Sequence, residues 1–295
     1  MNSIISIWTI LTTIFVLQNA TFISSHRILF LMPLNTRSET HLFNPLAKEL
    51  ANRGHKVTLI TSANSGYKNE SNLVELNPAR SFTALDFMGD ITDPLESRKL
   101  NANKVSFLLN FNFSFVEQEC HKVYKNEQFR KLLDGKEFDL VFTSIFFNEC
   151  FHGYIHKFRA PLIVFSSMPV DYTGGALMGL RMPPSFIPSS FTAFTDKMSF
   201  WERFENTLFT WAIAGMTQMF EGPFVEIYKQ YLGENLPSSS EIMENTSLLF
   251  SNSHFALNFP RPVLPNIVEV GGIHCRPSKP LQKVSFLVSL ILYCK

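Results

Sequence analysis

The apolar positions of this chain first cluster in a short run from Arg27 to Leu34, which ends at the polar stretch Asn35-Thr36-Arg37-Ser38. A run of that length bounded by turn residues predicts a strand buried on both faces. Leu42, Phe43, Leu46, Ala47 and Leu50 then recur three and four positions apart, with Lys48, Glu49, Asn52 and Arg53 between them. That spacing predicts an amphipathic helix. Asn44-Pro45 suits its first turn and Gly54 the residue just past its end. Val57 to Ile60 restarts a β-branched apolar run, so the stretch reads as one βαβ unit. In such a unit the loop leading from the first strand into the helix is where chemistry is placed.

Further along, Leu73–Leu76, Phe82–Phe87, Phe138–Phe142, Leu162–Phe165, Leu248–Ser251 and Ile267–Val270 are strand-like. Val105–Leu133, Phe146–Phe158 and Phe200–Tyr231 carry helical periodicity, the last with an interruption expected at Glu221-Gly222-Pro223. Alternating strands and helices predict an α/β fold with a parallel sheet and helices on both faces. Met168 to Asp196 breaks the rhythm with glycines and prolines and four aromatic residues, Tyr172, Phe186, Phe191 and Phe194. It fits either a loop closing over an apolar ligand or a plain surface loop.

Composition narrows the possibilities. The 295 residues are 45% hydrophobic and include 30 Phe, enough for a large aromatic interior. A net charge of +1 without a basic run argues against nucleic acid as a partner. Cys120, Cys150, Cys275 and Cys294 have no metal-like spacing; one disulfide is allowed, and spacing does not choose the pair. Ile4 to Leu17 has the length and place of a secretory signal, with an uncleaved anchor or a buried helix as the alternatives. Cleavage would fall between Ala20 and Ser25. Sequons at Asn69, Asn112 and Asn245 fit a glycoprotein of the secretory pathway. Val284 to Tyr293 is apolar but too short to span a bilayer.

Several motifs then carry a resemblance. The segment from Leu264 to Leu281 (LPNIVEVGGIHCRPSKPL) is similar to the interdomain segment of UDP-glycosyltransferases of the UDP-glucuronosyltransferase type. Arg53-Gly54-His55-Lys56-Val57-Thr58 resembles that family's opening βαβ unit. Phe138-Asp139-Leu140-Val141, Phe146-Phe147-Asn148-Glu149-Cys150 and Met198-Ser199-Phe200-Trp201-Glu202-Arg203 resemble insect members. The resemblance implies a two-lobed GT-B glycosyltransferase of which this chain is the N-terminal, Rossmann-like half. Residues 1–25 would be the signal peptide, 26–281 the acceptor-binding domain and 282–295 a non-homologous tail, with the donor-binding domain absent. The implied reaction is detoxification: transfer of a hexosyl or glucuronosyl group from a UDP-sugar to a hydroxyl of a small lipophilic acceptor. The UDP-sugar is a co-substrate of the full-length family; no cofactor or metal is expected on this lobe, which alone would be inactive. The implied place is the endoplasmic reticulum lumen, membrane-anchored in full-length members, with the C-terminal anchor absent here. An oligomer with full-length enzyme is the implied macromolecular partner.

The family pattern places a catalytic His after a Ser at the loop-to-helix junction and an orienting Asp at a later strand end. Here the positions hold Glu39, after Ser38, and Ser144, with His41 two residues beyond the expected place. A His–carboxylate pair suits proton abstraction at neutral pH, and a Ser cannot neutralise an imidazolium. His41 is either catalytic or a surface residue at the helix start. Glu39 is either a base or a stabiliser of the helix N-terminus. Ser144 is either a site hydroxyl or a strand-end side chain bonded to backbone. The alternative function is a non-catalytic lobe that binds lipophiles or regulates full-length enzyme.

Overall fold

A computed structural model describes residues 24–67, 71–79, 113–190 and 192–277. Among the described residues seven strands form one sheet in the order β3-β2-β1-β4-β5-β6-β7, every neighbouring pair parallel. They are β1 Arg27–Met32, β2 Lys56–Thr61, β3 Leu73–Leu76, β4 Leu140–Ser144, β5 Leu162–Ser166, β6 Thr246–Ser251 and β7 Ile267–Glu269. The helices are α1 Arg37–Asn52, α2 Phe113–Lys125, α3 Glu127–Leu133, α4 His152–Phe158, α5 Tyr172–Leu177, α6 Phe200–Leu232 and α7 Ser239–Met243, with a 3-10 turn at Glu149–Phe151 before α4. The order reverses between β1 and β4, so the loops after these strands part there. In an open α/β sheet that switch point is the binding crevice.

Alternation along β1 sends Ile28, Phe30 and Met32 to one face and Leu29 and Leu31 to the other, which is why both faces are covered. On the first face α1 contributes Leu42, Phe43, Ala47 and Ala51, with Phe30 stacked on Phe142 and Phe43 edge-on to Phe165, both at 4.4 Å between centroids. The second face is packed by α2, α3, α4, α6 and α7, around Tyr124, Phe129, Phe151, Tyr154 and Tyr228. Much of the phenylalanine content is thus core.

The described elements depart from the sequence expectations at several points. α1 begins at Arg37, so Pro45 sits in its interior instead of its first turn. The cause is a capping box: Thr36 Oγ1 accepts from Glu39 N and the Glu39 side chain accepts from Thr36 N. The other end agrees, with Gly54 at a φ of 89° just past the helix. The second α/β unit does not start its helix at Phe146, because Phe147 takes a φ of 64° and the helical turn begins only at Glu149. α6 runs unbroken through Pro223. α7 has no apolar periodicity to betray it and is set by a Ser238–Glu241 capping box. The loop 168–196 contains the short helix α5, capped by Asp171. The strand expected at Phe82–Phe87 and the start of the helix expected from Val105 lie outside the described residues.

Cys120 of α2 and Cys150 of the 3-10 turn form a disulfide 30 residues apart, both ends buried. It ties α2 to the turn that follows the loop after β4. Closing a loop of that size contributes about 2–4 kcal/mol. A Cys120→Ala/Cys150→Ala double variant is therefore expected to lose stability of about that size. Urea unfolding followed by circular dichroism measures it; an unchanged midpoint would remove the disulfide from the account of stability.

Candidate functional site

The crevice is built where β1, β2, β4 and β5 end. Leu34 and Asn35 follow β1 and are buried, so their backbone groups need partners other than water. Asn148 supplies them for Leu34, and the Ser62 hydroxyl for the Asn35 carbonyl. Asn148, fully buried, donates through Nδ2 to Leu34 O at 2.9 Å and Phe146 O at 2.7 Å, and its Oδ1 accepts from Leu34 N at 3.1 Å. Asn35 Oδ1 accepts from Ser62 N at 2.9 Å and meets Ser62 Oγ at 2.7 Å, while that hydroxyl also contacts the Asn35 carbonyl. The ends of β1, β2 and β4 are thereby held in one piece. Both asparagines lie in stretches the sequence reading singled out, Asn35 as the first polar residue after the β1 run and Asn148 within the Phe146–Cys150 motif, but neither carries a role there.

Thr36 then caps α1 and turns Glu39 inward. Glu39 is 6% exposed. Its Oε2 accepts from Thr36 N at 3.1 Å and from Thr36 Oγ1 at 3.4 Å. Its Oε1 accepts from Ser144 Oγ at 3.4 Å, joining residues 105 positions apart. A hydroxyl from Ser167, just past β5, completes the set. Burial raises the Glu39 pKa, and the bonds from the Thr36 backbone, Ser167, Thr36 and Ser144 counter it only in part. The two positions singled out by the resemblance therefore meet at the switch point.

His41 is not part of this meeting. Residues two apart on a helix point in nearly opposite directions. With α1 starting at Arg37, Glu39 faces inward and His41 is exposed. Ser38 is exposed as well, its hydroxyl 2.9 Å from Thr36 Oγ1.

Glu149, beside the disulfide, lies in the Phe146–Phe158 stretch that the sequence reads as helix. Its carboxyl accepts backbone N–H groups of Phe147 and Glu149 itself, but burial outweighs them and holds its pKa up at about 7. Its Oε2 is buried without a hydrogen-bond partner. His152, one turn on, is buried with Nδ1 2.7 Å from Ser239 Oγ, and burial lowers its pKa to about 3. It is a neutral, structural histidine joining α4 to α7. Among the described residues no group of three or more His, Cys, Asp or Glu is arranged to hold a metal ion.

Beyond β5 a cleft opens between the Pro- and Gly-rich loop and α6, lined by Asp171, Tyr172, Met182, Ile187, Thr210 and Ile213 among others. Asn206 of α6, fully buried, staples that loop by donating to Pro184 O at 2.6 Å and Ile187 O at 2.9 Å and accepting from Ser189 N. Arg261 reaches from the proline-rich connector to donate to Val170 O at 2.6 Å. The loop is thus ordered and packed, with a mixed apolar and polar wall toward the cleft.

Comparison with known proteins points to one family. A family model described as UDP-glucoronosyl and UDP-glucosyl transferase matches residues 30–288. UDP-glucosyltransferase 2 of Dactylopius coccus is 31% identical over 262 residues, covering 86% of this chain and 48% of that protein. Human UDP-glucuronosyltransferase 2B10 is 29% identical over 253 residues, covering 81% and 47%. The chain spans about half the length of the curated relatives it matches. The crystal structure of CalG4, the calicheamicin glycosyltransferase, aligns with a TM-score of 0.35 at 12% identity over 84% of this chain and 53% of that one.

The geometry generates two stability predictions. Asn148→Ala would strand the buried Leu34 N–H and carbonyl, at a cost of about 2–6 kcal/mol in chemical unfolding, since each unmet buried group costs about 1–3 kcal/mol. Glu149 titrates near 7 when folded and near its ordinary 4.5 when unfolded, so the folded state binds the extra proton and stability falls as pH rises between those values. Glu149→Gln is therefore expected to raise the thermal midpoint at pH 8, the gain shrinking to nothing toward pH 4. A gain that did not vary with pH would refute the assignment.

Proposed function

Because the chain belongs to the UDP-glucuronosyl and UDP-glucosyl transferase family, we propose that it is the acceptor side of a UDP-sugar-dependent glycosyltransferase. In this reading it holds a small lipophilic alcohol or phenol while a donor lobe presents the UDP-sugar. The single observation that carries the reading is the contact between Glu39 and Ser144 at the switch point, 3.4 Å apart.

The chemistry proposed for the assembled enzyme is a direct displacement. The acceptor oxygen attacks the anomeric carbon, the bond from that carbon to the UDP oxygen breaks, and the acceptor proton passes to Glu39. A carboxylate is ordinarily a weak base for an alcohol, but burial raises the Glu39 pKa and so narrows the mismatch. The hydroxyls of Thr36, Ser144 and Ser167 would hold the carboxylate in place. The disulfide between Cys120 and Cys150 favours an oxidising compartment, in keeping with the apolar N-terminal run and a lumenal location. Among the described residues no helix is long and apolar enough to cross a membrane.

A second reading is a lobe that binds lipophiles without catalysis. It is favoured by one fact: both carboxylate oxygens of Glu39 are already engaged, one of them in the capping box of α1. The two readings separate in a chimera that joins this chain to the donor half of a family relative. If Glu39 is the base, Glu39→Gln lowers kcat/KM at least about 100-fold, while saturable quenching of a fluorescent lipophile is unchanged. If the carboxylate only caps the helix, the same change leaves the rate alone. In that case Glu39→His with Ser144→Asp is expected to restore a fast enzyme.

A further inference from the structure

The turn after β4 is built around one strained residue. Ile145, Phe146 and Phe147 follow Ser144 as consecutive apolar residues. Ile145 packs under α5, so closely that a Cβ added to Gly174 would lie 3.3 Å from Ile145 Cδ1. Phe147 packs against the larger core, and its φ of 64° puts a bulky side chain in the left-handed region. Among the described residues Arg159 is the other non-glycine residue with a positive φ, and it ends α4, where that conformation is an ordinary cap. Phe147 ends no helix. A strained residue of this kind persists only where its surroundings over-determine it, and such residues gather at ligand sites.

The surroundings are on hand. Ser144 Oγ accepts from Phe146 N at 3.4 Å, Asn148 Nδ2 donates to Phe146 O at 2.7 Å, and the Glu149 carboxyl accepts from Phe147 N. Both polar backbone groups of Phe146 are therefore pinned. One is tied to the hydroxyl that reaches Glu39, the other to the asparagine that clamps Leu34. Yet among the described residues the Phe146 ring, unlike its two neighbours, packs into no apolar cluster of the core. It is half-buried, with the Phe147 ring 6.1 Å away and tilted by 40°. A lone half-buried phenylalanine is ordinary on a protein surface. One fixed by a strained, fully bonded turn at the switch point is not.

We propose that Phe146 is the aromatic wall of the acceptor subsite, on which a planar aromatic acceptor stacks with its hydroxyl directed toward Glu39 and Ser144. The inference rests on the reading of this chain as the lobe that holds a lipophilic acceptor, and it stands whether or not Glu39 is the base. Aromatic rings gain from meeting one another beyond the area they bury, which favours a flat acceptor over a saturated one of the same size. A ring fixed before binding loses little conformational freedom on binding. Its place is also suitable, because a single hydroxyl, Ser144 Oγ, touches both Phe146 N and Glu39 Oε1.

Titration of the full 295-residue chain with naphthol, read by the fluorescence of the probe itself, tests the proposal. Decahydronaphthol serves as the saturated competitor and uridine as a planar polar one. Wild type is expected to bind naphthol saturably and decahydronaphthol about five-fold more weakly. Phe146→Ala, with unchanged circular dichroism, is expected to weaken naphthol binding at least about ten-fold. Phe146→Leu keeps apolar bulk and is expected to abolish the preference for the flat ring. Saturable binding that Phe146→Ala leaves unchanged would overturn the role of Phe146 and leave the acceptor-lobe reading standing. No saturable binding by wild type would sink both. Displacement of naphthol by uridine at equal concentration would give the ring to the base of the donor and overturn the proposal as well.

Discussion

The constraint on which the rest of this structure depends is the burial of the backbone just after β1. Leu34 and Asn35 leave the middle of a seven-stranded sheet with no water to satisfy their polar groups. Asn148 and the Asn35–Ser62 pair replace the missing ladder bonds. From that anchor the next steps follow in order. Thr36 is placed to cap α1, the capping box turns Glu39 inward, and the register of β1 with β4 brings Ser144 within reach.

The result is a carboxylate in an unusual position for a surface crevice. Among the described residues the hydrogen-bond partners of Glu39 are hydroxyls and one backbone N–H, all dipoles and none a cation. Burial raises its pKa, and these bonds, made to the charged form, counter that rise only in part. Glu149 and His152, a few residues further on, show the same burial acting on both signs of charge: the carboxyl rises to about 7 and the imidazole falls to about 3. Between pH 4.5 and 6.5 their effects on stability oppose each other. Raising the pH over that window destabilises through Glu149 and stabilises through His152.

α6 is organised by a different logic. Its C-terminal half, with Phe224, Ile227 and Tyr228, is core, and the disulfide-linked turn and α2 pack on it. Its N-terminal half is held to the domain by Asn206 through the proline-rich loop. One helix thus spans from the interior to an outer aromatic face, which accounts for a segment that is apolar nearly all round.

By itself the sequence determined the class of fold, most strand positions and the turn at Gly54, because buried parallel strands and a core-facing helix leave period and punctuation that are local properties. It also marked Glu39 and Ser144 as the departures from a family pattern. Only the tertiary structure decided that these two meet, that His41 faces outward, and that Cys120 pairs with Cys150, because each depends on register between segments far apart in the chain. The start of α1 was misjudged for a related reason. Pro45 removes the bond to the carbonyl four residues back, that of His41, yet the helix starts at Arg37 because the capping box at Thr36 sets its first turn. The asparagine clamps were invisible in sequence because an Asn after a strand signals only a turn. Its role here comes from burial, which no single segment encodes.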